Sequence, residues 1–171
     1  SIFALPFGLI SLLVATDGAP SLMTLIYVVL AMVAARSAAM AYNRYADRAI
    51  DAINPRTAMR EIPAGRIRPA AALAFTLACC ALFIWICALL GTACLWLSVP
   101  VLFVLLGYSH AKRFTSLAHL WLGFALGLAP PAAWVAARGE FEPELWNPIL
   151  LGAGVMVWVG GFDILYACQD E

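Results

Sequence analysis

The stretch Asn43-Arg44-Tyr45-Ala46-Asp47-Arg48-Ala49-Ile50-Asp51 closes a long apolar run and places an amide and two carboxylates at i, i+4 and i+8. Residues four apart on a helix stand one above the other, so the three side chains share a face. Stacked carboxylates repel unless a cation lies between them. Hard oxygens of this kind suit Mg²⁺, which takes one or two carboxylates and leaves positions for phosphate oxygens. The same pattern also fits a charged helix end that merely solvates at a membrane surface. The remainder of the chain decides between the two.

Around this stretch the chain is 64% hydrophobic and 12% charged, with a mean hydropathy of +0.92. Soluble domains carry roughly 45–50% apolar and about 25% charged residues, so the composition is that of a membrane protein. A formal net charge of +0 argues against nucleic acid as a partner and leaves the lipid bilayer as the expected environment. Cys79, Cys80, Cys87, Cys94 and Cys168 fall mostly inside apolar runs without metal-ligand spacing and read as small buried residues.

A helix needs roughly 20 apolar residues to cross the hydrocarbon core. Six segments meet or approach this: 1–15, 22–45, 69–90, 93–108, 117–136 and 146–167. The expected fold is therefore all-α, a multi-pass transmembrane helical bundle in one membrane-embedded domain over residues 1–171. Ser1 stands inside an apolar run and Glu171 follows a charged cluster, so the chain is expected to be truncated at both ends. The span 93–108 holds Pro100 and should be kinked or followed by irregular backbone. Tight turns are expected at 16–21 and 91–92, and a longer acidic connection at 137–145.

Arg44, Arg48, Arg56, Arg60, Arg66 and Arg68 crowd the connection after the second span, and Lys112 and Arg113 follow the fourth. The opposite connections offer Arg138 beside Glu140, Glu142 and Glu144. Basic residues favour the cytoplasmic side, which places the Asp47 and Lys112 loops there.

A second acidic cluster closes the chain, with Asp163 and Asp170 two helical turns apart. An ionisable group so near the end of an apolar span is expected to face the bundle interior with a partner; the alternative is a carboxylate reaching out to the interface. Two acidic clusters on one membrane face are what a two-metal clamp on a diphosphate requires. Arg60, Tyr108 and Lys112 are the candidates to complete it, arginine as a fork and lysine as a point charge. Arg36 lies in mid-span, seven residues before Asn43. A guanidinium there costs roughly 3 kcal/mol even on the lenient insertion scale. It is expected to face either an ion-pair partner in Asp163 or the carboxylate of a second substrate. His110 and His119 read as interface histidines without catalytic duty.

The chain resembles the UbiA-type intramembrane aromatic prenyltransferases. Residues 43–51 look like that family's Asn-Asp-x-x-Asp-x-x-x-Asp motif. Arg56-Thr57-x-x-Arg60-x-Ile62-Pro63-x-Gly65, Tyr108-x-x-x-Lys112-Arg113-Phe114-Thr115 and Asp163-x-x-Tyr166-x-x-x-Asp170 look like three further family motifs, in the family's order. Arg44 departs from the pattern, standing where the motif usually has Asp. The last aspartate of the second motif would fall just past Glu171, as would the final spans of a family fold that usually has nine. The resemblance implies transfer of a polyprenyl group from polyprenyl diphosphate to an aromatic acceptor, with Mg²⁺ as cofactor. Asn43, Asp47, Asp51, Asp163 and Asp170 would bind Mg²⁺ and diphosphate, with the four aspartates as catalytic residues and Arg60, Tyr108 and Lys112 as the clamp. The wording of 56–65 and 1–11 looks closest to the 4-hydroxybenzoate branch serving quinone synthesis, with Arg36 holding the benzoate carboxylate. A bacterial inner-membrane enzyme with a cytoplasm-facing site is then expected. Haem, chlorophyllide, homogentisate or naphthoate as acceptor, and a non-enzymatic anion transporter, are the competing expectations.

Overall fold

The computed structural model describes residues 4–111, 115, 117–141 and 143–169, with side chains through Leu165. The described residues form helices α1 (Leu5–Ala15), α2 (Leu22–Ile53), α3 (Pro69–Leu90), α4 (Thr92–Ala111), α5 (Ala118–Gly127), α6 (Ala129–Arg138) and α7 (Trp146–Gln169), with a 3-10 turn at Pro143–Leu145. Five stretches are long and apolar enough to cross a membrane: Leu22–Ile53, Pro69–Leu90, Thr92–Ala111, Ala118–Arg138 and Pro143–Leu165. The protein is an all-α, multi-pass integral membrane bundle. The segment 1–15, expected as a truncated span, yields an 11-residue apolar helix among the described residues. At ~1.5 Å per residue that is about 16 Å, half of the ~30 Å hydrocarbon core.

Helix ends follow local chemistry. The Ser21 side chain caps α2, accepting from Thr24 N–H at 3.0 Å. Asn54, extended at ψ 119, closes it directly before Pro55. Pro69 opens α3 in the first turn, where its missing N–H costs nothing. Helices α3 and α4 are joined through Gly91 alone, whose φ of 138 lies in a region that side chains rarely adopt.

The proline in α4 does not bring the irregular backbone that the sequence allowed, since the helix continues through Pro100 to Ala111. The break comes in the fifth span instead. Pro130 and Pro131 remove two amide donors, so the carbonyls of Leu126 and Gly127 lose their helical partners and the span divides at Leu128 into α5 and α6. Ser11 Oγ donates to the Pro130 carbonyl at 2.7 Å, tying α1 to the bend.

The core is built from small and branched residues, with Leu12, Val28, Ala31, Ala34, Ala35, Phe83, Ile86 and Val135 buried together. Alanines on α2 let neighbouring backbones approach closely, the usual packing device where lipid removes the hydrophobic drive. Helices α5 and α7 come closer still. A Cβ on Gly123 would strike the Met156 carbonyl oxygen, and Gly127 and Gly152 face each other in the same way. Outward, Leu77, Trp85, Trp96, Val99, Phe103, Val157 and Leu165 stay exposed, an apolar jacket suited to lipid chains.

Candidate functional site

Helix α2 has 32 residues, about 48 Å at ~1.5 Å per residue, so its last turns extend past a hydrocarbon core of ~30 Å. Those turns carry the first acidic cluster. Arg36, Met40, Asn43, Asp47, Asp51 and Asn54 recur at helical spacing and form one wall of a polar cavity of 930 Å³. Leu105 and Tyr108 of α4 and Leu122, Ala125 and Leu126 of α5 form the facing wall. Asp47 and Asp51 are only 5% and 6% exposed, so neither is a solvated surface charge.

The segment after α2 folds back over this wall as a chain of turns. Asn54 Oδ1 accepts from Arg56 N–H at 3.0 Å, and the buried Thr57 hydroxyl donates to the Asp51 carbonyl at 3.0 Å. These bonds bring Arg56, Thr57 and Arg60 to the cavity. Arg60 Nη1 lies 2.8 Å from Asp51 Oδ1 and 2.9 Å from Oδ2. The cavity wall holds four arginines (Arg36, Arg44, Arg56, Arg60) against two aspartates. Before any cation enters, such a wall already attracts an anion carrying several charges.

Arg36 sits at a junction. It lines the polar cavity and also a narrower apolar chamber of 170 Å³ walled by residues such as Val28, Phe83, Cys87 and Leu97. Among the described residues it is the one charged side chain in that chamber's wall. The expected alternative, an Arg36–Asp163 ion pair, is not formed. Asp163 is instead bonded to His119, with Nδ1 to Oδ2 at 2.8 Å.

The second acidic cluster is placed differently from the first. Asp163 stands on α7 beside the cavity rather than in its wall. Tyr108 lies in the cavity wall, and the charges of Asp163, Asp47 and Arg36 all act on its phenol. Lys112 and Asp170 lie outside the described residues. Asn43 Nδ2 makes a long contact of 3.4 Å to Ser109 Oγ, linking α2 to α4.

Among the described residues, no three His, Cys, Asp or Glu side chains converge on one point. An Mg²⁺ ion does not demand such a cage, since one or two carboxylates suffice when water and phosphate oxygens complete the octahedron. The buried oxygens of Asp47 and Asp51, with the amide of Asn43 on the same helix face, are a donor set of that kind.

Sequence reasoning gave no role to several residues that the fold brings into this region. Arg44 and Arg56 stood within the motifs but were given no binding role, yet both line the cavity. His119 was set aside, and its partnership with Asp163 spans 44 positions, out of reach of any local spacing rule. His110 bonds the Tyr42 hydroxyl at 2.8 Å, another α2–α4 tie that no motif announced.

A family model described as the UbiA prenyltransferase family matches residues 4–171. A 4-hydroxybenzoate octaprenyltransferase of Neisseria meningitidis is 35% identical over 162 residues, which cover 94% of this chain and 53% of that protein. Its counterpart in Nitrosomonas europaea is 35% identical over 176 residues, covering 97% of this chain and 59% of that protein. The apo structure of a UbiA homolog from Aeropyrum pernix K1 matches with a TM-score of 0.90 at 39% identity, covering 99% of this chain and 63% of the other. The chain thus spans a little over half the length of the curated relatives it matches.

Proposed function

The chain belongs to the UbiA prenyltransferase family, and from that premise we propose that it carries the active site of a polyprenyltransferase acting on an aromatic acid of the 4-hydroxybenzoate type in quinone biosynthesis. The observation that supports this most directly is the polar cavity, where buried aspartates and an excess of arginines meet an apolar chamber at Arg36. A diphosphate with an isoprenoid tail and a small carboxylated ring are together complementary to such a site.

In this reading the diphosphate lies against Asn43, Asp47 and Asp51, with Asp163 of α7 and, from the sequence motif, Asp170 completing the set. Mg²⁺, when bound to these oxygens, would neutralise the leaving diphosphate. Arg60, Tyr108 and Lys112 clamp the phosphate oxygens, and Arg60 is held for that task by Asp51. The bond between the first isoprenoid carbon and its oxygen breaks, and the electron pair leaves with the diphosphate. Donors fixed before the reaction stabilise that developing charge without reorganising. The apolar walls keep water from the allylic cation. Arg36, which has no hydrogen bond or ion pair to another described residue, binds the acceptor carboxylate as a fork. The ring carbon beside the phenol then forms the new carbon–carbon bond and loses its proton.

In the same reading the site faces the cytoplasm from a bacterial inner membrane, and the basic residues of the connection after α2 support that orientation. The test is product formation by the full-length protein in lipid nanodiscs, given a polyprenyl diphosphate, 4-hydroxybenzoate and Mg²⁺. Prenylated acid should appear together with diphosphate, and EDTA should suppress both. Undiminished transfer in EDTA, with no divalent ion present, would sink the mechanism.

A further inference from the structure

The chemistry proposed above uses Asp163 but gives no work to His119. Their contact is short, 2.8 Å from Nδ1 to Oδ2, while the two side chains are 33% and 31% exposed. An ionised carboxylate only accepts, so the ring must present Nδ1–H to it. A pair this open to solvent adds little stability, and other contacts already hold the two helices together. Gly123 lies against the Met156 carbonyl, Gly127 against Gly152, and Gly160 beneath the His119 backbone, an antiparallel series with four-residue steps. That packing fixes the register of α5 on α7 through the backbone. The hydrogen bond is therefore not needed to hold the helices, and its remaining consequence is to set the orientation of one carboxylate.

We propose that His119 is a positioning residue: it occupies Oδ2 of Asp163 and leaves Oδ1 as the oxygen that would help hold a Mg²⁺ ion at the proposed diphosphate site. Oδ1 has no hydrogen-bond partner among the described residues. Tyr108 faces the cavity from α4, and the Asp163 charge acts on its phenol. A carboxylate with one oxygen tied and one presented loses less freedom on binding a metal. Groups that orient a ligand in this way typically contribute about 10–100-fold in metal affinity. The inference rests on the prenyltransferase reading, and its test separates the two.

The probe is Mn²⁺, followed by electron paramagnetic resonance with inorganic diphosphate and full-length protein, so that no turnover is involved. His119→Ala should weaken Mn²⁺ binding about 10-fold or more and raise the Mg²⁺ needed for half-maximal transfer, with the acceptor KM unchanged. His119→Asn, which keeps an N–H near the Nδ1 position, should recover most of the loss. Asp163→Asn should weaken Mn²⁺ at least as much as His119→Ala. Wild-type Mn²⁺ affinity in His119→Ala overturns the inference and leaves the prenyltransferase reading standing. So does a loss that His119→Asn fails to restore and that follows a fall in thermal stability, since the bond is then a structural tie. No Mn²⁺ binding by the wild type overturns both.

Discussion

The two acidic regions are built by opposite means. The first, from Asn43 to Asp51, is assembled by one helix and the turns that follow it: its carboxylates are buried, and the guanidinium paired with Asp51 comes from nine residues further along the same chain. The second, at Asp163, is half-exposed and depends on a histidine from another helix. A site made by local spacing survives small shifts between helices. A site made across a helix interface is only as accurate as the packing beneath it. The first region therefore supplies the fixed end of the proposed diphosphate site, and the second its adjustable end.

The largest test of this contrast is Asp47→Ala in the full-length protein. Removing a preorganised partner of developing charge should lower kcat/KM for prenyl transfer about 100–1000-fold, measured by chromatography of the product. A loss below 10-fold would show that the fixed end lies elsewhere. Next comes Arg36→Ala, which should raise the KM for the aromatic acid about 10–100-fold, the scale of a charge-assisted hydrogen bond of ~1.5–3 kcal/mol, and leave the prenyl diphosphate KM nearly unchanged. Arg36→Lys should restore only part of it, because the fork is lost. If the diphosphate KM moves instead, Arg36 belongs to the clamp.

Gly123→Ala probes the interface directly. The new methyl has nowhere to go but into the backbone at Met156, so stability should drop by about 1–3 kcal/mol, the usual range for overpacking. Thermal unfolding in detergent reads that cost. Activity should be restored by raised Mg²⁺ more readily than in Asp47→Ala. Equal responses to Mg²⁺ in the two variants would erase the distinction between the regions. The smallest effect belongs to Tyr42→Phe, which removes an exposed hydrogen bond to His110. Stability and turnover should both stay within about 0.5 kcal/mol of wild type; a tenfold change in either would assign the Tyr42–His110 contact a role in the site.

What the chain disclosed in advance follows the same division. Segment lengths and hydropathy gave the helical bundle and located four of its five membrane-length stretches closely. The nonapeptide at 43–51 gave the stripe on α2, because helical period alone sets which side chains share a face. The split at Leu128 was missed although Pro130 and Pro131 stood in view, since a proline pair can open a new helix as easily as bend an old one. The Asp163–His119 pair was illegible for a different reason. Its register is decided by glycines whose meaning appears only when α5 and α7 are seen in contact. The four-arginine wall was half legible: the residues were counted, but their turn toward the cavity depends on the folded course of the 54–68 segment.

The single-residue link at Gly91 has a consequence for biosynthesis. Helices α3 and α4, with that glycine between them, contain no Asp, Glu, Lys or Arg from Pro69 to Ala111. Delivering this hairpin into a bilayer requires no charged loop to be pulled through the hydrocarbon, because the far end is a single turn whose few open peptide groups reach headgroup water. The pair can therefore partition into lipid as one unit, ahead of any contact with the catalytic cavity. Charges inserted at Gly91 should obstruct membrane integration itself rather than turnover, a fault that would appear as lost protein instead of slow enzyme.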